Sequence, residues 1–559
     1  MDCGDILSED VYDFIVEYGY FPVSGEEPIC IQPLTQVWQV AYYDGKTLPP
    51  LSVEEYTYTA IPNCYALESR EMMEEAGILP IQNLDGFELR GNGVLVGIIA
   101  TGISYEEPMF RNADGSTRIA AIWDQSIAGV PPEGFLYGTE YTKEQIDEAL
   151  QSEEPYAVVP HRDSEGEGTY MASLAAGGES EDGVFIGAAP EAVIAVVKLK
   201  PAKQYLRDFY FIRDDAHCYQ ENDIMAAIWY LNELAGKLRM PLSVCCPLGS
   251  NNGSHAGETP LSGIVNVSAL RRGCAVSISA GNEANKRHHY KGALDAEEEY
   301  EDVEINVGEN VTGFVLELWG DVPRLFSVAV ISPSGEFVPR TTPRQGVGGT
   351  YRFVFEQTEV SIAYRITGGR SGNELVFLRF DKPAKGLWNI RVYNGGSNGG
   401  EYHMWLPISE FLSGEVIFLQ SDPQNTVTTP GMAVAPMTVG AYDAVTGGIY
   451  QDSGRGYSLS GVVKPDFTQP GVRVEGRGRD GIIESRTGTS GATAINSGAA
   501  ALMLEWGIVR GNDLLMNGTT VKNAFIRGCE QADSRLVPNP VWGYGKANLY
   551  NTFDKMRFF

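Results

Sequence analysis

The order of apolar and polar positions changes texture along the 559 residues, and each change marks a boundary. Between about residues 91 and 292, nearly continuous apolar runs alternate with stretches of helical period. Residues 94–99, 193–197, 242–246 and 274–279 are short and apolar on both faces, as strands inside a buried parallel sheet must be. Ile224, Ala227, Ile228, Leu231, Ala235 and Leu238 recur at three- and four-residue spacing, one stripe of a core-facing helix. Residues 261–272 read as a second helix. Thr142 and Gln145 form a capping box opening a third, which runs through Leu150. Strand and helix in alternation predict an α/β sheet with helices on both faces.

From about residue 293 the helical period stops. The acidic stretch 295–302 reads as a solvated linker, because a block of like charges repels itself and stays in water. Apolar runs at 313–319, 326–331, 351–355, 374–380 and 387–393, separated by turn signals such as Pro333-Ser334-Gly335, predict an inserted β-sandwich over 293–424. The α/β texture returns over 425–559, with an apolar helix after Ala494 and another at 521–527. Residues 1–66 form a separate α+β piece. A helix is expected at 11–16, a strand at 37–43 ending at the Asp44-Gly45 turn, and an extended exit strand at 54–62. A short helix from Glu68 to about Leu79 leads into the α/β unit, 67–292.

Composition narrows the partners. Forty-two basic against 73 acidic residues give a net charge of −31. Nucleic acid and anionic membrane surfaces are excluded as partners, since binding to them rests on clustered Lys and Arg. No apolar run reaches about 18 residues, so no membrane-crossing helix is expected. Met1-Asp2-Cys3-Gly4-Asp5 has neither the basic nor the apolar region of a signal peptide, and none is expected. The eight cysteines show no Cys-x-x-Cys pair and are read as mostly reduced and packed.

The candidate chemistry sits at Gly488-Thr489-Ser490-Gly491-Ala492-Thr493, a turn opening a helix. There the Ser490 hydroxyl lies at the positive helix end, where backbone N–H groups can hold a developing oxyanion. An ordinary N-capped helix has the same residues. Three further segments precede it in order: Ala100-Thr101-Gly102 after a buried strand, Glu167-Gly168-Thr169 at a helix start, and Ser279-Ala280-Gly281-Asn282 after another strand. Together the four resemble the subtilisin family of serine proteases, over about 67–292 and 425–559. The resemblance implies that Asn282 is the oxyanion donor and Ser490 the nucleophile. Leu248 and Gly249 would be the edge that pairs with substrate backbone, with Ser279 and Gly281 also lining the cleft. It also implies that Ala100 stands where the family has its orienting Asp, and Glu167 where it has its general-base His. Gly491 and Ala494 replace the usual Met and Pro.

A serine hydroxyl is a weak nucleophile until a base takes its proton. Glu has a reference pKa roughly two units below that of His, and Ala100 cannot orient any cation. In subtilisin itself, the worked case for this arithmetic, losing the base alone costs about 2 × 10⁶ in kcat. The expectation is therefore a degenerate triad and a pseudoprotease. The alternative is a weakly active acid serine protease using Ser490 with Glu167, as in the sedolisin relatives. Met171 stands where they carry an Asp and Asn282 where they have an oxyanion Asp, so Asp163 would have to serve as orienter. His161, His217, His255, His288, His289 and His403 remain for other roles. The His288-His289 pair reads as structural rather than metal-binding. No cofactor is expected; calcium is common in the family, but no loop has the carboxylate spacing to place it.

A finer resemblance is to the clostridial Csp germination subtilases. It rests on Ile122-Trp123-Asp124-Gln125, the segment from Tyr137 to Thr142, the segment from Tyr219 to Ile224, Gly281-Asn282-Glu283 with His288-His289, and Trp542-Gly543-Tyr544-Gly545. It implies a prodomain at 1–66, a jelly-roll inserted at 293–424 and a bacterial-spore location. It further implies a CspA-like or CspC-like role: a non-proteolytic regulator that binds another Csp-family protein, with a small-molecule germinant as a further candidate partner. A passive folding or storage scaffold is the competing class. A prodomain that is never cleaved would keep residues 61–66 extended in the old cleft against Leu248-Gly249, by strand addition.

Overall fold

The computed structural model describes residues 6–19, 23, 27–67, 75–84, 86–180, 185–320, 324–340, 348–366, 373–395, 399–531 and 536–556. Its centre is an eight-stranded sheet. In spatial order the strands are Phe467–Pro470, Met437–Tyr442, Cys274–Ser279, Leu242–Cys246, Leu95–Ala100, Val193–Lys198, Ile119–Asp124 and Thr139–Thr142. All neighbours pair in parallel except the last, which turns back as an antiparallel edge.

The four runs apolar on both faces are indeed interior strands, and helices cover both faces. Gly97 meets Leu231 of the helix Glu221–Leu238. Ser243, registered beside Val96 and so pointing the other way, donates to the Ser497 carbonyl of the helix Thr489–Leu504 (2.6 Å). That second helix is buried along all sixteen residues and runs through the middle of the molecule. The Thr142–Gln145 capping box is present on both sides, at the start of Lys143–Gln151.

Two antiparallel sheets form the inserted sandwich. One orders His289–Leu294, Gly400–Trp405, Gly313–Gly320, Glu374–Asp381, Glu359–Ile366 and Gly348–Arg352; the other orders Phe337–Val338, Phe326–Ile331, Gly386–Asn394, Tyr300–Val307 and Val416–Phe418. The period of two decides what each face touches. Phe314, Leu316 and Leu318 enter the sandwich core, whereas Val315 and Trp319 join a second core with Phe14, Tyr43, Tyr56 and Tyr58 of the N-terminal unit and Phe209 and Tyr210 of the body. The sandwich therefore starts earlier than expected, at His289. The acidic stretch is not a free linker either. Arg391 pairs with Asp302 through two bonds (2.7 and 2.8 Å), and Glu301 accepts the Tyr290 and Tyr402 hydroxyls, each at 2.6 Å. The strand expected at 351–355 lies a few residues earlier.

The N-terminal unit is a three-stranded antiparallel sheet with Trp38–Asp44 between Val11–Glu17 and Cys30–Pro33. The helix expected at 11–16 is thus a strand. Its inner Asp13 is no polar helix face: the carboxylate is fully buried and receives Lys203 of the body, with Gln220 and Asn222 donating to its second oxygen (3.1 Å each). Lys200 pairs with Asp223 (2.6 Å), which also accepts the Tyr137 hydroxyl (2.8 Å). The exit strand expected at 54–62 is replaced by turns and a short 3₁₀ helix, Tyr58–Ala60; extended chain begins later, at Cys64. A helix is found at Ile78–Asn83, and 68–74 lie outside the described residues. The cysteine reading needs one correction. Cys30 is disulfide-bonded, while Cys218, Cys245, Cys246, Cys274 and Cys529 are free. A three-stranded sheet has little core of its own, and a covalent tie suits it.

Candidate active site

The C-terminal ends of the central strands bring the expected residues together. Ala100 is the fully buried last residue of its strand. The next residue, Thr101, accepts the Gly168 N–H and donates to Asp163, both at 2.8 Å. A Cβ on Gly168 would sit 2.1 Å from the Gly102 carbonyl oxygen, so only glycine lets this turn lie against the start of the helix Glu167–Ala176. The turn after Ala100 and the helix start at Glu167 are thereby fixed side by side.

Glu167 is the first residue of that helix. Its carboxylate faces Arg486 at 3.8 Å, with side-chain exposures of 20% and 17%. Arg486 also binds Glu484 through Nε (2.8 Å) and Nη2 (2.5 Å), and its guanidinium lies 5.3 Å from the Tyr170 ring centre. It belongs to a hairpin, Val474–Arg477 with Ile483–Arg486, that packs on the helix through Tyr170, whose hydroxyl donates to the Val474 carbonyl (3.1 Å). Sequence reading passed over Arg486. The Asp480-Gly481 pair between two short alternating runs was the available hairpin signal.

Asp163, weighed as an orienter, has another task. One oxygen accepts Thr101 Oγ1 and the Gly166 N–H (2.8 and 2.9 Å); the other accepts Thr169 N–H and Oγ1 (2.8 and 2.7 Å). It caps the helix start and ties it to the turn. Nearby lies an Asp–His pair the sequence did not suggest. His161 Nε2 accepts the Ile103 N–H (3.1 Å), which leaves Nδ1–H to donate to Asp124 (2.7 Å), both residues fully buried. Burial alone would raise the Asp124 carboxyl. The His161 hydrogen bond, with Lys198 at 3.8 Å and the Ser126 hydroxyl, outweighs it and holds the carboxyl below its usual range. With both ring nitrogens occupied, this imidazole is structural.

Ser490, the second residue of its helix, is fully buried and donates to the Pro247 carbonyl (3.3 Å). Asn282 Oδ1 accepts the Thr489 N–H (3.0 Å), which turns the amide nitrogen to the other side, the orientation an oxyanion donor needs. Thr489 Oγ1 in turn accepts the Gly281 N–H (3.1 Å). Gly281 has φ +91°, and a Cβ there would meet Thr428 at 2.5 Å; one on Gly249 would meet the same threonine at 2.3 Å. The Ser279 hydroxyl is buried without a hydrogen-bond partner among the described residues. Burial pushes the neighbouring Cys245 and Cys246 thiols up to about 12, so neither supplies a thiolate.

The cleft edge is occupied by the chain itself. The strand Cys64–Leu67 pairs antiparallel with Leu248–Gly249, in the register Leu67 to Leu248 and Ala66 to Gly249. On its other side it pairs with Tyr219–Gln220. The exit segment is thus inserted between two edges, as expected by strand addition, though a few residues further along than 61–66. The two adjacent histidines diverge. His288 bonds Glu283 (2.8 Å), whereas His289 bonds the Asp422 carbonyl and His403, each at 2.9 Å.

A parallel sheet with helices on both faces, an Asn–Ser pair at its C-terminal end and an edge strand for backbone pairing define a subtilisin-like protease scaffold. The chain belongs to the subtilase family, whose model matches residues 91–308 and 410–545. Among solved structures it resembles the CspB protease of Clostridium perfringens, with a TM-score of 0.76 and 28% identity over 87% of this chain and 98% of that one. The prenylagaramide maturation protease PagA aligns with a TM-score of 0.42 and 14% identity over 86% and 98%. No curated protein matches the chain.

Proposed function

We propose that this Csp-like subtilase is a pseudoprotease that regulates spore germination by binding another Csp-family protein. The observation that carries the reading is the Ser490 hydroxyl, whose hydrogen bond goes to a backbone carbonyl. A nucleophilic serine must give its proton to a base, and a carbonyl oxygen is not one. The residue at the base position supports the same reading, because Glu167 is engaged by Arg486. Asp163, which an acid-protease mechanism would need, has both oxygens engaged at the helix start. A scaffold with its cleft edges filled by its own strand suits docking better than turnover.

The test is reversion. Ala100→Asp with Glu167→His is made with and without Arg486→Gln, since the guanidinium would disfavour an imidazolium beside it. Intact-mass spectra then report self-cleavage after the inserted strand. The wild-type chain is expected to stay whole and to resist a fluorophosphonate probe at neutral pH, and the triple variant to cleave. Rapid labelling of wild-type Ser490 would overturn the pseudoprotease reading. Absence of a complex with sibling Csp proteins on size-exclusion chromatography would overturn the proposed partner.

A further inference from the structure

The site above uses the C-terminal ends of the sheet. At the opposite ends, where Leu242 and Cys274 begin their strands, a second concavity of about 270 Å³ opens. That is near the lower edge of the usual range for ligand pockets, roughly 300–1,000 Å³. Arg239, Arg271 and Arg272 line it, and no carboxylate does. In a chain with 42 basic against 73 acidic residues, this local balance runs against the composition.

None of the three arginines has a carboxylate partner among the described residues. Two of them have a contact that places the side chain. Arg271 lies over the Trp229 ring, 5.7 Å from its centre. Arg272 donates through Nε to the Leu514 carbonyl, leaving its two terminal nitrogens free of that bond. Arg239 ends the helix Glu221–Leu238 in the left-handed conformation, φ 54°. Asp513, on the same loop as Leu514, is turned to the Leu515 N–H (3.1 Å). Met240, Leu242 and Ile508 give the cavity an apolar floor.

Three guanidinium groups around one cavity place positive charge there, and no carboxylate in the lining offsets it. The planar fork of each matches a carboxylate, sulfonate or phosphate with paired donors. An apolar floor below such a rim selects a ligand with a body as well as a charge. We propose that this cavity binds a small organic anion with an apolar body and one or more anionic groups. The inference goes beyond the pseudoprotease reading and stands whether or not Ser490 is active.

The experiment titrates the full chain with 8-anilinonaphthalene-1-sulfonate by fluorescence. It repeats the titration with N-phenyl-1-naphthylamine, which has the same body without the sulfonate. Saturable binding of the sulfonate at one site per chain is expected, at least tenfold tighter than the neutral probe and displaced by inorganic phosphate. The double variant Arg239→Gln with Arg271→Gln should weaken the sulfonate at least tenfold and leave the neutral probe unchanged. Both side chains are exposed, so the fold should tolerate the change. Equal binding of the two probes by the wild-type chain would overturn the proposal without recourse to any variant. So would no binding, or sulfonate binding indifferent to the two arginines.

Discussion

Asp163 and Glu167 are both carboxylates at the start of one helix, and their surroundings give them different weight. Asp163 is buried and accepts four bonds, two from backbone N–H groups of the helix start. Asp163→Ala orphans those donors and should cost at least about 2 kcal/mol. Glu167 makes a partly exposed ion pair at 3.8 Å, and Glu167→Ala should change stability by no more than about 1 kcal/mol. Urea denaturation of the two variants decides it; equal losses would refute the assignment. The positions of Ala100, Glu167, Asn282 and Ser490 were legible because short local motifs carry them. Arg486 and the His161–Asp124 pair were not. Their partners are remote in sequence, and no local pattern announces a contact made only by the fold.

Among elements, the strand Cys64–Leu67 links the fold to its function. Its backbone is held on both sides, by Leu248–Gly249 and by Tyr219–Gln220. Amide hydrogens in 64–67 should therefore exchange markedly more slowly than those of an unpaired loop. Mass-resolved hydrogen exchange checks this, and exchange at the unprotected rate would mean that the edges are open. Both edges were readable as apolar or motif-bearing stretches, and the strand was anticipated from the family's way of holding backbone. The N-terminal strand Val11–Glu17 was misread because a run of apolar residues interrupted by Asp13 also fits a short helix. Only the body's Lys203, Gln220 and Asn222, waiting for that carboxylate, decide the matter. Several of these partners lie in segments that carried the finer resemblance, which here hold the N-terminal unit to the body.

At the scale of the molecule, three imidazoles sit where the sandwich meets the body. His255 stacks on Trp405 with ring centres 4.1 Å apart, His289 lies 4.9 Å from the same ring, and His289 bonds His403. Burial lowers all three, His289 to about 4, His255 to about 3 and His403 to about 2. In the unfolded chain each titrates near about 6.5. The unfolded chain thus takes up protons first as pH falls. The stability contributed by the neutral rings is complete above that value and is lost as pH falls toward each ring's own folded value, by up to about 1.4 kcal/mol per pH unit for each ring. Glu374 and Glu410, raised by burial to about 8 and about 7, act in the opposite sense, so the comparison needs a variant. The loss of stability between pH 7 and pH 5 should be smaller in His289→Gln with His403→Gln than in the wild-type chain. An unchanged slope would exclude the cluster.

Glu317 sits on the face of the sandwich that looks outward from its own core. Its buried carboxylate accepts the Tyr58 hydroxyl of the N-terminal unit (2.7 Å), the Asn252 amide and Gly253 N–H of the body (2.8 and 2.9 Å), and Trp319 Nε1 of its own sheet (2.9 Å). Losing the carboxylate would strand four donors in three separately built bodies at once. Inheritance is where this has its effect. A lineage that exchanges Glu317 is expected to exchange Tyr58 and Asn252 with it, so that three bodies which look independent along the chain drift together as one.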